Sequence, residues 1–332
     1  MSGGLYRTRG GDLWCRMPTD TGVSGPLFIV MNAGSGHNDC EQTRAAIAGV
    51  FSSAGRAHEF LLVDDPSELP RQAARAVELA RAAHGVVVAA GGDGTLNGVA
   101  QAVLGSGCTF GVLPQGTFNL FGRSHGIPQE TEAQALSLLH GELQHVRVGL
   151  VDDRIFLVNA SLGLYPQILE DREAYKKRFG RSRAVAVGAG FATLASHRKQ
   201  LELDVEEDDG RSYSLRTPTL FVGNNQLQLE RIGIGEASHL DHDRLAAVAV
   251  RPIATRSMFW LALRGALGSL GEADNVQGFS FRTLTVKPRR HRRIKVATDG
   301  EVQWMRTPLH FRVAPHALPL IVPSAAHRVE VA

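Results

Sequence analysis

Over the first 140 positions, short apolar runs alternate with longer amphipathic stretches. Residues 27–31 read as a strand, 40–51 as a helix and 58–63 as a second strand. Residues 66–83 form a helix with Leu69, Ala73, Val77 and Ala80 on one face. A buried strand at 85–90, a helix at 95–104, a strand at 109–113 and helices around 117–125 and 130–140 complete the series. Strands alternating with helices predict a parallel sheet covered on both faces. After about Gln144 the pattern changes. Residues 146–150, 154–160, 201–205, 212–222, 245–250, 279–286 and 293–297 are short strand-like runs, several alternating polar and apolar. They predict an antiparallel sandwich or barrel, interrupted by helices near 169–197 and 257–270.

Composition narrows the class. The chain has 332 residues, enough for two domains with real cores, and its 43% hydrophobic and 21% charged content describes a soluble globular protein. A net charge of +3 is too small to imply nucleic acid. Cys15, Cys40 and Cys108 show neither metal-ligand spacing nor a disulfide framework, which fits a reducing cytoplasm. The polar, glycine-rich residues 1–25 read as a flexible tail without a secretory signal. No stretch reaches the roughly 20 apolar residues of a spanning helix.

Chemistry concentrates where strands end. Gly91-Gly92-Asp93-Gly94-Thr95 joins strand 85–90 to a helix. Its glycines leave backbone N–H groups open to a phosphate oxygen, and the helix N-terminus adds a favourable dipole. An acid within such a loop points to Mg²⁺ bridging it to a nucleotide; the alternative is a tight turn capped by Asp93 or Thr95. Gly116-Thr117-Phe118-Asn119 and Asn32-Ala33-Gly34-Ser35-Gly36 follow two other strands. Ligands of open parallel sheets bind at the carboxyl ends of the strands. The Gly91 loop follows the third strand, whereas a dehydrogenase fingerprint occupies the first strand-to-helix turn. Thr298-Asp299-Gly300-Glu301 reads locally as a hairpin, since Asp-Gly is a strong turn signal.

The order and spacing of these loops resemble the diacylglycerol kinase catalytic-domain family, specifically its bacterial soluble lipid kinases. Asn32 with Ser35-Gly36, Gly91 to Thr95 with Asn97, and Pro114 with Gly116-Thr117, Asn119, Phe121, Arg123 and Gly126-Ile127-Pro128 carry the resemblance. Gly163 to Pro166, Val222 to Asn225 and Asp299-Gly300-Glu301 extend it to nearly the whole chain. It implies an α/β doubly wound parallel-sheet domain at 26–144, completed by about 315–332, and a β-sandwich lipid-substrate domain with helical insertions at 145–314. It implies an ATP- and Mg²⁺-dependent lipid kinase acting on diacylglycerol or a related lipid. Asp93 would hold the catalytic metal. Asn32, Ser35, Gly36, Gly91, Gly92, Gly94, Thr95, Gly116, Thr117 and Asn119 would line the nucleotide. Asp299 would take the proton of the lipid hydroxyl, with Glu301 supporting the metal or the local network.

The chain departs from the family at Asn119-Leu120-Phe121-Gly122, where many members have Asn-Asp-Phe-Ala, and at 240–245. At the latter, Asp241 and Asp243 are candidates for a structural cation, against a solvated acidic turn. Basic clusters at Lys287, Arg289, Arg290, His291, Arg292, Arg293 and Lys295, and at Lys176, Lys177, Arg178, Arg181 and Arg183, suit either a solvated face or an anionic membrane surface. The expected setting is cytoplasmic and peripheral at the membrane, with no nucleic-acid partner and a homodimer left open. NAD kinase, which shares the Gly-Gly-Asp-Gly loop, and a nucleotide- or lipid-binding sensor without turnover are the alternatives.

Overall fold

The computed structural model describes residues 24–33, 40–179, 200–207, 210–224, 244–251 and 276–324, without the side chains of 172–179. All but the last two residues of the expected tail, and the expected helix near 257–270, lie outside the described residues.

The first half builds the α/β layer. Strands β1 (Leu27–Asn32), β2 (His58–Val63), β3 (Val86–Gly91) and β4 (Thr109–Pro114) are parallel. With β5 (Glu142–Val146) and the last strand, β18 (Leu318–Val322), they form one sheet in the order β2-β1-β3-β4-β18-β5. β18 runs parallel to β4 and antiparallel to β5. The sheet is apolar on both faces because helices cover both. Val30, Val87 and Ala89 face Ala73, Ala76 and Ala80 of α2 (Leu69–Ala83) and Leu96, Val99 and Val103 of α3 (Asp93–Val103). Ile29, Val88 and Ala90 face Ile47 and Phe51 of α1 (Cys40–Ser53), with Ala135 and Leu138 of α5 (Thr131–His140). Between them α4 is a single short helix, Leu120–Ser124. Each fully buried Leu or Val contributes about 1.5–3 kcal/mol. The apolar stripe of α3 therefore fixes its N-terminus firmly at the end of β3.

The second half is an all-antiparallel sandwich. One sheet has the order β10-β9-β14-β17-β6-β7, from β6 (Gly149–Val151), β7 (Arg154–Phe156), β9 (Leu201–Glu207), β10 (Ser212–Thr217), β14 (Thr283–Pro288) and β17 (Leu309–Val313). The other has the order β13-β12-β11-β8-β15-β16, from β8 (Asn159–Gly163), β11 (Thr219–Gly223), β12 (Leu245–Val250), β13 (Val276–Phe281), β15 (Arg293–Thr298) and β16 (Glu301–Arg306). Leu203, Val205, Val286 and Phe311 of the first meet Leu162, Val222, Ala247 and Val296 of the second in one core. Helix α6 (Leu164–Phe179) leaves β8 and lies along β15 and β16.

Three runs that read as single strands each divide between the two sheets. Residues 154–160 become β7 and β8, 212–222 become β10 and β11, and 279–286 become the end of β13 and the start of β14. Such corners are how a chain passes from one layer of a sandwich to the other. The corner at Leu157 and Val158 becomes part of the candidate site.

Candidate active site

The first side of the site is the end of β3. Gly92 caps α3 in an extended conformation without any side-chain cap, so Asp93 and Thr95 lie inside the helix rather than capping it. Thr95 is buried, and its hydroxyl accepts from Asn32 Nδ2 at 3.3 Å. A Cβ on Gly91 would come within 2.6 Å of Thr95 Oγ1, so only glycine lets the loop close there. The second loop packs on the first. Gln115 N–H donates to Gly91 O at 2.8 Å, and a Cβ on Gly116 would stand 3.0 Å from Gly92 Cα. Asn119 adopts the left-handed conformation (φ 48°), and its Oδ1 accepts from Gly116 N–H at 2.9 Å. Thr117 and Phe118 are exposed beside it. Ser35 and Gly36 lie outside the described residues, as do Asp241 and Asp243.

Asp93 is the strained group of this side. Its carboxylate accepts from the backbone N–H groups of Asn119 and Leu120. Its Oδ1 is shut off from solvent and has no hydrogen-bond partner among the described residues. Burial, and then the negative charge of Asp299, hold its pKa above the ordinary carboxylate range against those two donors. An enclosed carboxylate oxygen without a donor is costly. A cation is the partner that such an oxygen fits, so Mg²⁺ suits this position.

The second side is the β15–β16 turn. Asp299 holds a left-handed conformation (φ 48°), and its N–H donates to Asn159 O at 2.9 Å. The residue shows some surface at the turn, but its carboxylate is fully enclosed. Oδ2 accepts from Asn97 Nδ2 at 2.6 Å and Leu157 N–H at 2.7 Å. Oδ1 accepts from Val158 N–H at 2.8 Å and Asn159 N–H at 2.9 Å. These three N–H groups lie where the chain leaves β7 for β8, at the break between two ladders. Asn224 satisfies the carbonyls of the same corner, its N–H donating to Val158 O at 2.8 Å and its Nδ2 to Leu157 O at 3.2 Å. Burial still lifts the Asp299 pKa, opposed by all four donors.

A carboxylate whose lone pairs meet four donors does not suit the proton acceptor expected of Asp299. Its partner in the turn is different. Glu301 is exposed, and no donor to its carboxylate is present among the described residues. Its Oε1 lies 2.9 Å from where a Cβ on Gly94 would stand. The free carboxylate thus comes from the sandwich and sits over the glycine loop.

Asn97 carried the resemblance without a role. On α3 it bonds Asp299 and, at 3.1 Å, Ile155 O, while Gln101 one turn later bonds Ile155 N–H and Asp153 O. The helix that carries Asp93 is thereby bolted to the turn that carries Glu301. The spacing of Asn97 and Gln101, four apart on one helix face, was the available signal. The corner N–H groups left none, because residues 154–160 contain neither Gly nor Pro.

Residues 26–151 match the family described as the diacylglycerol kinase catalytic domain. A probable lipid kinase YegS-like protein of Pseudomonas putida is 28% identical over 86% of this chain and 92% of its own length. A diacylglycerol kinase of Staphylococcus saprophyticus is 26% identical over 54% of this chain. That match spans 58% of the relative, and a match to a Synechocystis protein spans 54% of it. The crystal structure of a putative diacylglycerol kinase from Bacillus anthracis superposes with a TM-score of 0.70, covering 90% of this chain and 98% of that one at 18% identity. It shares the two-layer arrangement of an α/β sheet and an antiparallel sandwich. The family match over residues 26–151, the relatives and the shared architecture thus agree in likening this chain to diacylglycerol kinases.

Proposed function

We propose that this protein is an ATP-dependent kinase that phosphorylates a hydroxyl of diacylglycerol or a related lipid, working peripherally at the cytoplasmic face of a membrane. One observation carries the reading. The partnerless Oδ1 of Asp93 stands at the uncapped start of α3, and the sandwich brings the free carboxylate of Glu301 over the same loop. The relatives named as lipid kinases favour a lipid acceptor over NAD. No helix among the described residues is long and apolar enough to cross a membrane.

The roles follow from what phosphoryl transfer needs, namely in-line positioning and stabilisation of spreading charge. The N-terminal N–H groups of α3 and the packed Gly92 and Gly116 loops receive the phosphates of ATP. Asp93 would hold Mg²⁺, which would supply charge neutralisation on the phosphates. Asn32, Thr95 and Asn119 shape the loops, and Thr117 is available beside them. Glu301 takes the proton of the lipid hydroxyl. Asp299 is a positioning residue that sets the turn and so the approach of Glu301.

The test is incubation of the full chain with labelled ATP, Mg²⁺ and, separately, diacylglycerol, monoacylglycerol, ceramide, sphingosine and NAD. Label in a phosphorylated lipid is the expected result. Label in NAD alone, or in no acceptor while ATP still binds, would exclude it.

A further inference from the structure

The basic run at 287–295 is not a uniform patch. Arg289 is paired with Asp204 at 2.8 Å, Arg290 lies 3.8 Å from Glu202, and Lys295 bonds Glu170 at 2.5 Å. Arg292, Arg293 and Arg306 are exposed and have no ion pair among the described residues. Arg293 and Arg306 are direct cross-strand partners on β15 and β16, and Lys295 is the partner of Trp304. Cross-strand partners share a face, as do every second residues along a strand. Arg293, Lys295, Trp304 and Arg306 therefore project from one face.

Two features of this ribbon do not suit bulk water. Like charges placed directly opposite on a sheet repel. Trp304 is 58% exposed, the most exposed large apolar side chain among the described residues. It is also held in place, with Lys295 Nζ 5.3 Å from its ring centroid and Lys295 itself fixed by Glu170 of α6. An exposed indole with unpaired guanidiniums on the same face of its ribbon matches one chemistry. Trp prefers the boundary between water and hydrocarbon, and Arg is drawn to anionic headgroups. We infer that the outer face of the β15–β16 ribbon docks on an anionic lipid bilayer, with Trp304 as the apolar anchor and Arg293 and Arg306 as its phosphate contacts.

The position of the ribbon gives the docking a use, and that use rests on the kinase reading above. Among the described residues β16 is the edge strand of its sheet. Glu301 begins it and Trp304 lies three residues on, roughly 10 Å along the strand. Glu301 and Trp304 project from opposite faces. A lipid hydroxyl leaving a bilayer docked there would reach Glu301 across that strand edge.

The experiment is co-sedimentation of the full chain, without ATP, with vesicles of phosphatidylcholine alone and of phosphatidylcholine with phosphatidylglycerol. Wild-type protein binds the anionic vesicles, and binding fades from about 0.1 M to about 1 M salt as the Debye length falls from about 10 Å to about 3 Å. R293Q/R306Q weakens binding roughly 25-fold at low salt, since each basic residue near the surface accounts for about fivefold. W304A weakens it about fivefold at any salt. The emission shift on vesicles is lost in W304F although Trp14 and Trp260 remain. Thermal melts of each variant verify the fold. Equal binding to neutral and anionic vesicles, or wild-type binding by both folded variants, overturns the proposal. So does a solution dimer abolished by W304A without vesicle binding, which would assign the edge to a second copy of the chain. Because vesicle binding is read without turnover, a chain that phosphorylates no lipid would still pass or fail this test independently.

Discussion

Asp93 and Asp299 are two enclosed aspartates, one from each half of the molecule, and each raises the pKa of its group by burial. Their surroundings are opposite. The α/β half leaves Asp93 with two backbone donors and one oxygen without a partner. Asp299 is surrounded by four donors at 2.6 to 2.9 Å, three from the sandwich corner between β7 and β8 and Asn97 from α3. An unsatisfied carboxylate oxygen at the start of a helix beside a glycine loop suits a ligand, because folded proteins otherwise satisfy most buried polar atoms. Complete satisfaction marks a group that holds structure. The pattern at Asp93 is that of a metal ligand, and the pattern at Asp299 is that of a joint.

The largest effect that would break this comparison is at Asp93. Asp93→Asn is expected to lower turnover by roughly 10³-fold, since metal stabilisation of transferring phosphate is worth several kcal/mol. The same change is expected to raise the melting temperature of the metal-free protein. The sign follows from the shift. A carboxyl whose folded pKa lies above its unfolded value is destabilising when ionised, and the penalty is present at neutral pH and relieved as pH falls below the folded value. An amide removes that penalty, and the repulsion from Asp299, at every pH. Turnover assays beside melts in chelator check both. A folded variant with normal turnover, or one less stable than wild type, contradicts the ligand role.

Asp299 and Glu301 sharpen the comparison from the other side. Glu301→Gln is expected to lower turnover by 10²–10⁴-fold, the range for loss of a general base, with ATP affinity and melting temperature unchanged. Asp299→Asn instead replaces an acceptor oxygen with an NH₂ group facing donors. One to two enclosed donors are left unmet at about 1–3 kcal/mol each, so the loss appears first as stability. Denaturant midpoints and kcat for the two variants decide. If Asp299→Asn keeps its stability and loses only turnover, the proton acceptor is Asp299 after all.

Much of this arrangement was legible in the chain, for reasons that particular residues show. The α/β half announces itself because residues 27–31 and 85–90 are continuous apolar runs separated by amphipathic helices, the mark of strands buried on both faces. Gly91 to Thr95 is local chemistry, and its loop, helix start and acid can all be read from five residues. The sandwich strands were legible, but not which sheet each joins. Residues 212–216 alternate and 220–222 are all apolar, so the stretch reads as one strand-like run although the corner at Pro218 separates β10 from β11. The role of Asp299 was hidden for the same reason. Its donors Leu157, Val158 and Asn159 lie 142, 141 and 140 positions away. They are backbone groups, freed only because the chain changes sheets there. The resemblance pointed to the turn, and only the geometry separates its two carboxylates.

The smallest expected effect tests the contact between the two halves. A Cβ on Gly94 would meet Glu301 Oε1 at 2.9 Å, with Glu301 Cδ next at 3.7 Å. The obstructing atom is the tip of an exposed, flexible side chain, so the fold can yield at little cost. Gly94 is the second residue of α3 and adopts no left-handed conformation, and alanine in a helix gains up to about 1 kcal/mol over glycine. Gly94→Ala is therefore expected to be as stable as wild type or slightly more so. Activity should move the other way, because the methyl displaces the carboxylate that faces the acceptor hydroxyl. A shift of about 1 Å away from chemistry can cost 10²-fold, and a side chain that can partly swing back should lose roughly tenfold in kcat with little change in the KM for ATP. If Gly94 matters only as a phosphate cradle, the KM for ATP rises while kcat holds. Steady-state kinetics on one stable variant thus separate a glycine that admits the nucleotide from a glycine that admits Glu301. Only the second outcome keeps the two halves meeting at that carboxylate.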